Sequence, residues 1–395
     1  MHNTIVIGAG PVGSYLAIKL ARLGYDVLVL DKKSAAGRNV CCTGIISKAC
    51  CDLLPNDINL SRKPIRSASF VAPSGKSIKL RRNDDVAYVI DRVALEQVLA
   101  DYAQASGVRY LFGNDVVDIQ SVANCLQVTT NCGGRENLFE TETAVIATGF
   151  GSSLPVRLGL GKIDNFIIGA QAKVNITDID EIEIYLDRRL APGGFSWLVP
   201  TGDNAGLVGQ LTQRQPKLTF AKLLLALKTQ GKIDTIEVAP SYRAIPLQSL
   251  PKTYSDRLLV VGEAAGQVKP TTGGGIYYGF VCADIAANTL HWAFKAGEFN
   301  ESRLVAYEKA WRARLGKELK AGYLAHRLYR RLDNRQIEGL FSFIGRNGLP
   351  KFINELDDFQ FDWHSQLILK TMKHLAVFIP AMAIKPLRKR KVTIN

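Results

Sequence analysis

Gly8, Gly10 and Gly13 are spaced G-x-G-x-x-G between the apolar run Ile5–Ile7 and an amphipathic stretch through Tyr15, Leu16, Leu20 and Leu23. That spacing suits a phosphate grip. The first glycine permits a tight turn, the second lets backbone approach a pyrophosphate, and the third lets a helix pack close to a strand. The free N–H groups and positive dipole end of that helix then face the anion. Asp31 ends the next apolar run, Val27–Leu30, where an acid can accept hydrogen bonds from an unphosphorylated adenosine ribose. Far along the chain, Leu258–Val261 leads into Gly262-Glu263, followed by Pro270 and Gly273-Gly274-Gly275. Glu263 can hold ribityl hydroxyls. A glycine-bare helix start can approach the carbonyl side of an isoalloxazine, where the helix dipole favours the anionic reduced ring. Two distant stretches gripping one large dinucleotide point to FAD, and to redox chemistry.

The elements around these residues form a consistent set. Thr4–Ile7, a helix stopped at Gly24, and Val27–Leu30 make one β-α-β unit. Asp91 is placed to cap a helix through Leu95, Val98, Leu99 and Tyr102, with Arg92 able to pair with cofactor phosphates or a nearby acid. Ala144–Ala147 has the pattern of a buried strand. Thr148-Gly149 follows its C-terminal end, where ligands sit in open α/β sheets. The spacing predicts strands and turns over 62–79 and 165–248, a helix over 217–230, a long helix from about Gly275 to Phe294, and mainly helix after Asn300. The expected architecture is α/β: a discontinuous Rossmann-type domain at 1–60, 85–160 and 250–298, an inserted β-rich substrate domain at 61–84 and 161–249, and a basic helical region at 299–395.

Composition narrows the function classes. The chain has 395 residues and a formal net charge of +14. Residues 301–395 hold 19 Lys or Arg against 9 Asp or Glu, and Lys385, Arg388, Lys389, Arg390 and Lys391 lie close together near the end. The adjoining segment LAVFIPAMAI is apolar. Apolar burial beside basic residues is how peripheral proteins hold an anionic bilayer, so a cytoplasmic protein, peripheral on the inner face of the membrane, is expected. No reader module for nucleic acid is visible. The N-terminus has the character of a first strand rather than a signal peptide. The seven cysteines include the vicinal pairs Cys41-Cys42 and Cys50-Cys51, which match neither zinc-ribbon spacing nor a disulfide framework, and no metal is expected. Oligomeric state cannot be read from these features.

GAGPVG, Asp91-Arg92, VIATG and VVGEAAGQVKPTTGGGIYYG resemble the flavoproteins of the para-hydroxybenzoate hydroxylase fold. CCTGIIS resembles the cysteine-containing loop of geranylgeranyl reductases, and APGGFSWLVP (residues 191–200) resembles that family's aromatic signature. The resemblance covers roughly residues 1–300. It implies FAD bound in the extended manner and reduction of isoprenoid double bonds on a prenylated lipid, quinone or diphosphate. It also implies that Cys42 faces the flavin at the substrate end, and that Phe195, Trp197 and Pro200 line a prenyl channel. Cys42 or Tyr277 is then the candidate proton donor. Three departures stand out: Glu263 where Asp is usual, Phe195 where Tyr is usual, and the extra thiol Cys41. With no second dinucleotide fingerprint, a nicotinamide donor must visit transiently, and reduced ferredoxin or a quinol is an equal candidate. The alternatives are an FAD monooxygenase of the same fold and a membrane-docked flavoprotein that passes electrons to quinone. Gly266, where such hydroxylases often carry His, argues against the monooxygenase.

Overall fold

The structure is a computed structural model that describes residues 1–202, 204–346 and 360–365. The first eight-stranded sheet has its core in five strands, ordered Leu258–Val260, Arg135–Ile146, His2–Ile7, Val27–Asp31 and Arg109–Phe112, all parallel. Apart from the half-exposed edge strand Arg109–Phe112, they are buried on both faces where they pair, so their side chains divide between two cores. Val6, Val29 and Val145 pack under the helices Pro11–Arg22, Arg92–Ala105 and Ile276–Ala296. Ile5, Ile7, Leu28, Leu30 and Ile146 face the other way, onto Val116, Ile119, Leu126 and Val128.

Those last residues belong to a feature with little signal in the sequence. Strands Asp115–Val122 and Cys125–Cys132 fold back antiparallel onto Arg135–Ile146, so one long strand is antiparallel at its start and parallel at its end. Only Leu126–Thr130 is expected as strand in this region. The remainder has too little regular alternation to announce itself.

The second eight-stranded sheet runs Ile233–Ile236, Phe166–Ile176, Ala205–Thr212, Phe195–Gly202, Ile182–Tyr185, Ser67–Val71 and Ser77–Arg81, with Ser241–Pro246 also paired to Phe166–Ile176. Helix Pro216–Thr229 covers one face through Phe220, Leu223, Leu224 and Leu227. The stretch 62–79, expected as one group of strands, divides between two sheets. Arg62–Ile65 pairs with Ala87–Ile90 in a separate three-stranded sheet that also holds Ile45–Ser47. There it is an edge strand, which tolerates the missing N–H of Pro64.

Helices Glu301–Tyr329 and Asn334–Arg346 follow Asn300. Trp311, Tyr307 and Leu315 bury the first of these against the first sheet's helical core. The apolar segment 375–384 and the basic cluster 385–391 lie outside the described residues. Among the described residues no helix is long and apolar enough to cross a membrane.

Phe220 is fully buried between its helix and the second sheet, remote from the glycine turns. Phe220→Ala should destabilise the chain by about 3–5 kcal/mol. Urea unfolding followed by circular dichroism measures this. A loss below about 1 kcal/mol would contradict the packing described.

Candidate cofactor and substrate site

A continuous cavity of about 1550 Å³ lies between the two large sheets. Its floor is the C-terminal edge of the first sheet, where Gly8, Gly10, Asp31, Thr148, Gly149, Gly262 and Glu263 all line it. Ordinary small-ligand sites span roughly 300–1,000 Å³, so there is room here for a dinucleotide and a second occupant.

The first glycine turn is built from backbone contact. A Cβ on Gly13 would lie 1.9 Å from the Gly8 carbonyl oxygen, so only glycine lets the helix start this close to the strand. Gly10 has open space where its Cβ would point, on the cavity side. Asp31 braces the turn: Oδ2 accepts from Ala9 N–H at 2.7 Å and Oδ1 from Lys33 N–H at 2.7 Å. Each carboxylate oxygen keeps a second lone pair for a ribose hydroxyl.

Arg92 enters the cavity from its own helix, which Asp91 caps by accepting from Val93 N–H at 2.7 Å. Its Nη2 donates to Glu96 Oε1 at 2.9 Å, and Glu96 also accepts from Gly37 N–H. Burial works against the Arg92 charge, but Cys42, Glu96 and Glu263 outweigh it and hold the guanidinium protonated. Glu96 gives no signal in the sequence beyond its i, i+4 spacing from Arg92.

Of eight buried side-chain polar atoms with no hydrogen-bond partner among the described residues, three belong to the cavity-lining residues Arg92 and Glu263: Arg92 Nε, Arg92 Nη1 and Glu263 Oε2. Buried polar groups are nearly always paired, so these mark a place for a ligand with both anionic and hydroxyl groups. That donor and acceptor set, together with an open helix N-terminus at Gly10, fits FAD. Gly266 carries no side chain for a local reason. Its φ is +69°, and a Cβ there would lie 2.1 Å from the Gln248 carbonyl oxygen.

The second glycine segment brings Gly273, Gly274, Gly275 and Tyr277 to the same cavity. Pro270 turns the other way, against Gly322 of helix Glu301–Tyr329, and its neighbours Lys269 and Thr271 face the cavity instead. Lys269 forms a buried ion pair with Asp362 at 2.8 Å. Thr271 Oγ1 donates to His364 Nδ1 at 2.8 Å, while His364 Nε2–H donates to the Phe361 carbonyl. Trp363 packs edge-on to Tyr277. Residues 360–365 thus strap the second glycine segment, a contact that nothing in their spacing announces.

Cys42 is half-buried on the cavity wall. Burial pushes the neighbouring Cys41 thiol up, against a hydrogen bond from Ser241 that pulls it down. Phe195 and Trp197 line the apolar part of the cavity with Ile184, Val199 and Leu211. Pro200 does not. Side chains alternate along a strand, and Pro200 shares the face of Leu198, which packs under helix Pro216–Thr229. Val199 takes the place expected for it. All seven cysteines are free, and the described residues hold no cluster of three or more His, Cys, Asp or Glu able to bind a metal.

The chain aligns over 90% of its length, and 95% of the relative's, with a digeranylgeranylglycerophospholipid reductase of Methanocaldococcus jannaschii, at 25% identity. A second reductase of that name, from Methanothermobacter thermautotrophicus, is 28% identical over 86% of this chain and 90% of its own. The family described as pyridine nucleotide-disulphide oxidoreductase matches residues 2–172. These likenesses support a flavoprotein of the geranylgeranyl reductase family. Its fold is that of a geranylgeranyl bacteriochlorophyll reductase-like protein from Thermoplasma acidophilum, with a TM-score of 0.81 at 20% identity, covering 95% and 98% of the two chains. A flavin-dependent brominase shares the fold at a TM-score of 0.69 and 15% identity, covering 95% of this chain and 99% of its own.

Two expectations follow from this geometry. Gly13→Val should abolish FAD uptake, read as loss of flavin absorbance after reconstitution, because its side chain would displace the helix from the turn. Stability should also fall with acid. His326 and His364 are lowered from the ordinary 6.5 to about 4, in each case first by burial, then by Arg330 and Arg188 or by Lys269. The unfolded chain takes up these protons first, so stability is full above about pH 6.5 and is lost as pH falls toward 4. Thermal melts from pH 7 to 4 should show this fall, and a His364→Gln variant should show a shallower one.

Proposed function

We propose that this protein is an FAD-dependent oxidoreductase that saturates C=C bonds of a geranylgeranyl-type chain on a lipid. One observation carries the reading. A single cavity runs from the glycine turns, past Cys42, into a slot walled by Phe195, Trp197, Val199 and Ile184. The relatives named as reductases of digeranylgeranylglycerophospholipid cover nearly the whole chain and support the substrate class. A quinone or a free diphosphate carrying the same prenyl group fits the slot equally.

An isolated alkene is not polarised, so its reduction needs a proton at one carbon as well as a hydride at the other. FAD, held by Gly8, Gly10, Asp31, Arg92, Gly149 and Glu263, would supply the hydride. The chain's own residues then have three tasks. The aromatic wall keeps water out and holds the alkene in place. The helix start at Gly275 sets positive dipole toward the reducing end of the cavity. Cys42 and Tyr277 stand on the cavity wall as sources of the proton. Electrons arrive from NAD(P)H or from reduced ferredoxin, and the basic, apolar C-terminal segment holds the protein against an anionic membrane.

The test uses the purified yellow protein, dithionite and a geranylgeranyl glycerophospholipid. Mass spectrometry should find two hydrogens added per reduced bond, and Cys42→Ala should slow turnover by about a hundredfold if Cys42 gives the proton. Oxygen consumption with a hydroxylated product would overturn the reading in favour of a monooxygenase. Electron transfer to quinone with the prenyl chain unchanged would leave only an electron carrier.

A further inference from the structure

The strand Ser241–Pro246 borders the cavity and pairs with Phe166–Ile176, with Arg243 opposite Gly169. Residues two apart on a strand share a face. On this one, Ser241 hydrogen-bonds Cys41, Arg243 reaches Gly149 and Glu263, and Ile245 lies against Gly273. Three successive same-face side chains therefore run from the cysteine loop to the glycine-bare helix start. Those are the two features between which the proposed function sets the flavin ring. The role assigned to Arg243, the middle of the three, rests on that reading.

Its charge is only loosely engaged. The Arg243 Nε lies 3.8 Å from Glu263 Oε2, beyond hydrogen-bond distance, and that oxygen has no hydrogen-bond partner among the described residues. Arg92, the other guanidinium near Glu263, is tied to Glu96. Arg243 also comes from the second sheet, whereas Gly8, Gly10, Asp31, Arg92 and Glu263 all belong to the first sheet's side of the cavity. Glu263 keeps its charge when ribityl hydroxyls bind it, but it faces Arg243 across 3.8 Å with no hydrogen bond between them, so the guanidinium donors stay open to the ligand.

We propose that Arg243 is a positioning charge that stabilises the anion appearing on the flavin when it is reduced, so that the protein binds reduced FAD more tightly than oxidised FAD. A guanidinium suits this role because it stays protonated at any working pH and is weakly hydrated. The helix start at Gly275 supplies partial positive charge to the same cavity, and Arg243 adds a full one from the opposite wall.

The experiment compares wild type, R243Q, R243M and R243K, each loaded with FAD. Quenching of flavin fluorescence gives the affinity for oxidised FAD, and equilibration with reference dyes gives the midpoint potential. R243Q and R243M should lower the preference for reduced over oxidised FAD by about tenfold, a fall of about 30 mV for a two-electron couple. Affinity for the oxidised form should change by less than about threefold, and R243K should keep most of the wild-type potential. An unchanged potential in both neutral variants overturns the proposal. So does an equal loss of affinity in both redox states, which would make Arg243 a pyrophosphate contact. Wild-type protein that takes up no FAD would sink the flavin reading and this one together. Uptake of FAD with an unmoved potential in the variants sinks only the assignment of Arg243.

Discussion

Everything in this molecule depends on how closely its two helix starts approach each other. Val12, in the first turn of helix Pro11–Arg22, packs against the bare Cα atoms of Gly262 and Gly279, one on each side of the second glycine segment. Side chains at either glycine would push the segments apart. Because they are absent, two stretches about 250 residues apart in sequence present their helix N-termini to one cavity. Helix termini carry unpaired N–H groups and partial positive charge. The approach therefore concentrates donor capacity at a single place, and the rest of the fold encloses it.

The enclosure divides the labour between two sheets. The first, parallel and buried through its centre, supplies the anion-binding edge. The second is antiparallel over most of its strands and buries one face under helix Pro216–Thr229, leaving the other to wall the cavity with Phe195, Trp197 and Val199. Strand alternation makes that division strict, since a one-residue shift of register would turn Pro200 and Leu198 inward and the aromatic pair outward. The substrate slot is thus a consequence of register as much as of composition.

Three pairs of opposite charge line the cavity. Arg92 answers Glu96, Lys269 answers Asp362, and Arg243 stands across from Glu263. The first two are short, buried and hydrogen-bonded, as buried ions must be to offset their lost hydration. The third is long and open to the cavity. That contrast separates charges that hold the protein together from a charge that a ligand would engage.

The sequence by itself determined the β-α-β unit, the capped helix at Asp91, the second glycine segment and the long helix after it, because each is encoded by local spacing. Glycine turns, N-caps and helical periods involve residues only a few positions apart, so their physics is visible in the string. Only the tertiary structure decided the rest. Arg243, on a strand of the second sheet, and Glu263, in the turn after a strand of the first, lie 20 positions apart, and Asp362 meets Lys269 across 93 residues. The meander over 115–143 is held by cross-strand partners, and the inward face of residues 195–200 is set by register with Ala205–Thr212. Contacts of this kind arise from chain closure and burial, which leave no periodic trace in the order of the residues.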